Sequence, residues 1–217
     1  MAKQITLQDA AAFIRDGTTL MVGGFMGCGS PHKLIDYLVK QNVTDLTLIC
    51  NDTGLPEFGV GKMVTNKQFK RIYASHIGLN PETGKQMNNQ ETDVILVPQG
   101  TLAERIRCAG AGLGGVLTPT GIGTIVQEGK DIITVDGKDY LLELPLKADV
   151  AIVEALRADK AGNLQFHGTT RNFGEIMLPA ADLTIVEVHE IVEVGEIDPD
   201  FVHVPGIFVD YLIKKED

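Results

Sequence analysis

The chain has 217 residues, 44% hydrophobic and 22% charged, a balance that suits one α/β domain spanning 1–217 and not a disordered chain. Asp and Glu number 29 against 19 Lys and Arg with no basic run, which argues against a nucleic-acid partner. No stretch approaches the ~20 apolar residues of a membrane span, and Cys28, Cys50 and Cys108 have neither CxxC nor zinc-like spacing.

Thr6 reads as the N-cap of a helix over 7–16 that Gly17 stops. The start Met1–Thr6 lacks the apolar run of a signal peptide, so a cytoplasmic location is expected. Thr18–Val22 is a short apolar strand running into Gly23-Gly24. Ser30 stands as the next N-cap with Pro31 at the first helical position, and Leu34, Ile35, Leu38 and Val39 form the stripe to be buried. Leu46–Cys50, Phe69–Ser75 and Val94–Val97 follow as strands, and Thr101–Cys108 as a helix that meets the glycine-rich run Gly110–Gly115.

Ile132–Val135 and Tyr140–Leu144 flank Asp136-Gly137 as a small β-hairpin insertion. The strand Val150–Ala155, a helix near Asn172–Ala180, the strand Leu183–Val188 and a last strand Ile207–Leu212 complete the order. The tail Lys214–Asp217 is expected to fray. Near-continuous apolar strands separated by helices imply a mostly parallel sheet covered on both faces.

The densest local pattern is Leu20–Pro31: strand, glycine-rich turn, helix start. In parallel α/β sheets, ligands sit beyond the carboxyl ends of strands, where this turn falls. Four glycines, Gly23, Gly24, Gly27 and Gly29, expose bare peptide there, and the following helix start favours negative charge. The competing reading is a tight connection with no ligand. A Walker loop is ruled out because Ser30-Pro31 stands where Lys-Ser/Thr is needed, and a dinucleotide loop because the third glycine of GxGxxG is missing after Gly29. Gly110–Gly115 comes nearer that spacing but follows a helix. His32, His76, His167, His189 and His203 show no metal-ligand spacing, so no metal is expected.

Asp16-Gly17, the apolar Leu20-Met21-Val22, Gly23-Gly24-Phe25 and Gly29-x-Pro31 together resemble the signature of the family I coenzyme A transferase α subunits. Asn51-Asp52-Thr53, Val97–Leu102, Glu104–Arg107, Gly110–Gly115 and Thr118–Gly121 resemble the same family in the same order, so the likeness covers essentially the whole chain. Asn51-Asp52-Thr53 and Asn80–Gly84 look more like the acetate/butyrate–acetoacetate enzymes than the succinyl–3-oxoacid branch.

The resemblance implies a layered α/β/α fold of the coenzyme A transferase-like, NagB/RpiA-like kind. It also implies an exchange of coenzyme A between short-chain carboxylates without ATP. In this family a glutamate attacks the acyl thioester to give an acyl anhydride. The thiolate then returns to form an enzyme thioester, and the incoming carboxylate reverses the sequence. That glutamate lies in a Ser-Glu-Asn-Gly stretch of the β subunit, which is absent here. The chain is therefore expected to carry no catalytic residue and to work with a β subunit, as α2β2. Glu104 lies one helical turn from Arg107, as a surface pair would.

By the same resemblance, Gly23, Gly24, Phe25, Met26, Gly27, Cys28 and Gly29 match the coenzyme A loop, with Phe25 against the pantetheine arm or turned to the core. Cys28 is filler in that pattern. Asn51 and Gln99 match polar positions lining the substrate pocket, or serve as loop residues satisfying nearby backbone. Arg171 has no chemical role in this reading. A regulatory module that binds acyl coenzyme A, and a sugar-phosphate enzyme of similar layered fold, are the readings from other classes.

Overall fold

Apolar runs become the strands of one main sheet in the computed structural model, which describes residues 2–215. In chain order the elements are β1 (Lys3–Gln4), α1 (Leu7–Ala11), β2 (Thr19–Val22), α2 (His32–Gln41), β3 (Leu46–Cys50), α3 (Gly61–Thr65), β4 (Phe69–Ala74), α4 (Pro81–Asn88), β5 (Asp93–Leu96) and α5 (Gln99–Gly110). There follow β6 (Val116–Thr118), β7 (Ile132–Val135), β8 (Lys138–Glu143), β9 (Ala148–Asp159), β10 (Leu164–Gln165), α6 (Gly174–Met177), β11 (Ala181–Val192) and β12 (Tyr211–Lys214).

The main sheet runs β1-β12-β11-β9-β2-β3-β4-β5, with every neighbour in that path parallel, and β10 adds antiparallel to β9. Strand alternation sends side chains to opposite faces. Leu20, Val22, Leu48, Val150 and Ile152 pack with Ala10, Leu34, Ile35, Leu38 and Met63 on one face. Met21, Ile49 and Ala151 pack with Leu102, Ile106 and Met177 on the other. Helices on both faces of a parallel sheet give the expected three-layered α/β/α arrangement.

The expected hairpin is present, with Asp136 (φ 51) and Gly137 (φ 74) in the left-handed region that a type I′ turn demands. It gains β6 as a third strand, so the insertion is an antiparallel sheet of order β6-β8-β7.

Several expected bounds change. The helix over 7–16 ends at Ala11: the Thr6–Asp9 capping box starts it as expected, but the Arg15 amide turns to the Thr18 hydroxyl (3.0 Å). Val150–Ala155 and Leu183–Val188 lengthen to the twelve-residue strands β9 and β11, whose polar ends still pair, as Arg157 does with Glu190 (2.8 Å). Ile207–Leu212 is not a strand. Gly206–Phe208 forms a 3₁₀ turn with Ile207 87% exposed, and β12 begins only at Tyr211. The helix near Asn172–Ala180 reduces to α6 plus a 3₁₀ turn over Leu178–Ala180.

Helices α3 and α4 had no counterpart in the sequence reading. α4 begins with Asn80, whose side chain accepts the Glu82 amide (3.2 Å), and Pro81 in the first turn. Of the expected frayed tail, Lys214 ends β12 and the Lys215 amide donates to the Val188 carbonyl (2.8 Å); Glu216 and Asp217 lie outside the described residues.

Candidate functional site

The parallel strands β2, β3 and β4 end side by side, and their carboxyl ends release residues 23–31, 51–60 and 75–80 along one edge. The first of these is a built object. Phe25 and Cys28 exchange both backbone hydrogen bonds (3.1 and 2.9 Å), closing a two-residue turn on Met26 (φ 52) and Gly27 (φ 81). Left-handed backbone at both central positions defines a type I′ turn.

Side chains from three other segments fix its backbone. The Ser30 hydroxyl donates to the Gly23 carbonyl (2.9 Å). The Asn172 amide spans the base: its oxygen accepts the Gly24 N–H (3.2 Å) while its nitrogen donates to the Cys28 carbonyl (3.1 Å). At the tip, Asp52 accepts the Met26 N–H (3.1 Å), and His32 Nε2 donates to the Gly27 carbonyl (2.8 Å). The N–H groups of Gly27 and Gly29 find no acceptor among the described residues. Phe25 and Met26 are exposed, and Cys28 is exposed with Sγ 3.6 Å from the Thr169 hydroxyl.

What crowds the glycines is the chain itself. A Cβ on Gly24 would stand 2.1 Å from Ser30 Oγ, one on Gly27 2.3 Å from the Phe58 ring, and one on Gly29 2.4 Å from the Thr170 carbonyl. These positions need glycine for packing before any ligand is considered. The helix start behind the turn also departs from expectation. Ser30 does not cap it; α2 begins at His32 with Pro31 flanking, and the Lys33 and Leu34 N–H groups donate to the carboxylate of Glu187 (3.3 and 3.0 Å). The positive end of that helix is thus filled by a buried side chain of β11. Burial pushes the Glu187 carboxyl up, against the Leu34 and Lys33 amides and the Lys215 ammonium, which pull it down.

The second released segment mirrors the first. Leu55 and Phe58 pair around Pro56-Glu57, between Gly54 (φ 63) and Gly59 (φ 57), and the Phe58 ring packs 4.4 Å from His32. Asn51 is buried, with its backbone and side-chain oxygens both accepting from Ser75 Oγ (2.7 and 2.8 Å). Asp52, 3% exposed, has its carboxyl raised chiefly by burial, opposed by the Met26 and Gly54 amides and the nearby His76. Gln99 opens α5, is exposed, and lines a cleft of about 470 Å³ with Thr101, Glu104 and Val116–Thr118. Asn51 is not among the residues of that cleft.

Glu104 and Arg107 form the expected exposed pair (3.2 Å). No group of three metal-ligating side chains exists among the described residues, and no helix there is long and apolar enough to cross a membrane. A cavity of about 710 Å³ beside β1 and β12 includes none of residues 23–30. The strand ends, where backbone polar groups converge, mark the site instead.

Asp52, Phe58, Asn172 and Glu187 were not assigned roles from sequence. Asp52 lies inside a motif that carried the family resemblance, and Gly54–Gly59 is a second glycine-bounded turn whose likeness to the first was legible. Nothing local marks Glu187, which arrives from a strand far along the chain.

These features define a layered α/β protein whose candidate site is a glycine turn braced by three other segments. The chain belongs to the coenzyme A transferase family, whose model matches residues 4–215. It is 53% identical over 215 residues to the acetate CoA-transferase subunit alpha of Escherichia coli (strain K12), covering 99% of this chain and 98% of that one. It is 48% identical over 214 residues to the acetoacetyl-CoA:acetate/butyrate CoA transferase alpha subunit of Clostridium acetobutylicum, again covering 99% and 98%. Among solved structures, an acyl-CoA transferase of Escherichia coli O157:H7 in thioester complex with CoA superimposes with a TM-score of 0.88 at 22% identity. That match covers 99% of this chain and 47% of the other, so this chain spans about half of it and the likeness speaks to fold.

Proposed function

We propose that the chain is the α subunit of an acetate/butyrate–acetoacetate coenzyme A transferase, a single α-subunit domain over 1–217 that works in the cytoplasm with a β subunit as α2β2. The observation that carries this is end-to-end alignment, at about half identity, with chains named as α subunits of acetate and acetoacetyl-CoA transferases. In this reading acyl coenzyme A and short-chain carboxylates are the substrates, and no metal takes part. The β subunit's glutamate attacks the thioester carbonyl and expels the thiolate, leaving an acyl anhydride. The thiolate then attacks the enzyme's own carbonyl, releasing the first carboxylate and leaving an enzyme thioester. The second carboxylate runs both steps backwards.

This chain contributes position. Gly23, Gly24, Phe25, Met26, Gly27, Cys28 and Gly29 form the wall for coenzyme A, with exposed Phe25 and Met26 as its apolar surface and the Gly27 and Gly29 N–H groups as donors without a partner among the described residues. Fixed donors of this kind need no reorganisation when charge develops nearby. Asn51 and Gln99 line the substrate side.

The test is direct. The purified chain alone gives no exchange, and co-expression with a chain bearing Ser-Glu-Asn-Gly restores transfer between acetoacetate and a short fatty acid. Borohydride reduction after incubation with acyl coenzyme A then labels one glutamate, mapped by mass spectrometry to the partner. Strong activity from the single chain, or a label on this chain, overturns the proposal.

A further inference from the structure

The turn over 25–28 and the segment 51–60 press together: the Phe58 ring fills the space beside Gly27, and a Cβ on Gly59 would lie 3.3 Å from the Gly27 Cα. Among the described residues a single hydrogen bond joins them, from the Met26 amide to Asp52 Oδ1 (3.1 Å). The other oxygen of the same carboxylate, Oδ2, accepts the Gly54 amide (3.1 Å), which starts the second glycine-bounded turn. One buried carboxylate therefore holds the tip of one turn and the root of the other.

The tip needs such a hold. Met26 is the turn's non-glycine residue in the left-handed region, a conformation that works against the side chain. Its own side chain is exposed and supplies no anchor. Asn172 and Ser30 fix only the base of the turn, at Gly23, Gly24 and Cys28. At the tip, His32 binds the Gly27 carbonyl, and Asp52 is the partner of the Met26 N–H.

We propose that Asp52 is a positioning residue for coenzyme A. By binding the Met26 amide with one oxygen and the Gly54 amide with the other, it sets where the exposed face of the glycine turn stands against the second segment. It touches no reacting atom. The inference rests on the proposal that residues 23–29 receive coenzyme A.

The experiment uses the complex with the partner subunit, in wild-type form and with Asp52→Ala and Asp52→Asn. Amide hydrogen exchange of the segment containing Met26 is followed by mass spectrometry with and without acetyl coenzyme A, alongside steady-state kinetics. Asp52→Ala is expected to speed exchange at Met26 and raise KM for the acyl coenzyme A about tenfold, the size of one charge-assisted hydrogen bond, with kcat within about twofold. Asp52→Asn keeps one acceptor oxygen and recovers part of the loss, about threefold from wild type; if the alanine variant fails to fold, this variant carries the same comparison. Unchanged exchange at Met26 in a folded variant overturns the proposal. So does faster exchange with unchanged KM, provided that acetyl coenzyme A still protects residues 23–29 in the wild type; the cradle reading then stands. No protection of the wild-type segment overturns both.

Discussion

Two glycine runs that look alike in sequence do opposite work. Gly23–Gly29 lies in a turn braced from outside by Ser30, Asp52, Phe58, Asn172 and Thr170, and the helix after it has its first turn filled by Glu187. Gly110–Gly115 follows a helix whose start at Gln99 has no side-chain cap. It mainly ends that helix: the Leu113 amide bonds back to the Cys108 carbonyl (2.9 Å) across left-handed Gly112 (φ 67), a Schellman-type stop. Gly112 and Gly114 have open space where a Cβ would go, whereas one on Gly110 would stand 2.9 Å from Pro179 and one on Gly115 2.9 Å from Leu142. Glycine count therefore says little by itself. The atom that would meet the missing Cβ decides whether a glycine is packed shut or only bends the chain.

The largest expected effect breaks the braced run. Gly29→Ala drives a Cβ into the Thr170 carbonyl at left-handed backbone (φ 84), and is expected to cost about 2–4 kcal/mol of unfolding free energy. Gly112→Ala meets no atom and pays only the backbone term, about 1 kcal/mol. Chemical denaturation of both variants measures the gap. Equal losses would mean that the close approach of 168–171 to the turn is not maintained in solution.

The sheet was legible because its strands are short, apolar and punctuated: Leu46–Cys50 matches residue for residue, and Thr19–Val22 within one. The turn was legible as a turn, since Gly23-Gly24 and Gly27-x-Gly29 announce left-handed backbone. Its bracing was not. Asp52 and Asn172 reach it across separations of 26 and 148 residues, Glu187 reaches the helix behind it across 153, and local pattern carries no information on which distant polar side chain arrives. The last strand departs from expectation for a related reason. Ile207 and Phe208 are apolar but exposed, and apolarity marks a strand only where a partner buries it.

A smaller effect sharpens the contrast between the two helix starts. Burial, aided by Glu154, holds the Glu187 carboxyl above the ordinary carboxylate range, so the folded chain keeps this proton more tightly than the unfolded chain does. Its linked contribution to stability is complete below the unfolded carboxylate value and is lost as pH rises through the folded value. The unfolding free energy of the wild type minus that of Glu187→Gln is therefore expected to decline from about pH 4 towards neutrality, in denaturation series at matched ionic strength. A difference that grows over that range would show that the amides and Lys215 outweigh burial at this site.

The smallest effect is expected in the open region. Gly114→Ala adds a methyl into empty space at a position without left-handed backbone, so it restricts the unfolded chain and shifts stability by no more than about 0.5 kcal/mol, towards gain. Glu104→Gln removes one partner of an exposed pair with Arg107, which contributes within about 0.5 kcal/mol. Activity matters more here. Glu104 is a carboxylate of this chain on the helix that runs into those glycines. If the covalent step belongs to the partner, Glu104→Gln in the two-chain enzyme keeps kcat within about twofold, because removing an attacking group costs orders of magnitude. A loss of 10³ or more in kcat would move the chemistry from the braced edge to the open one.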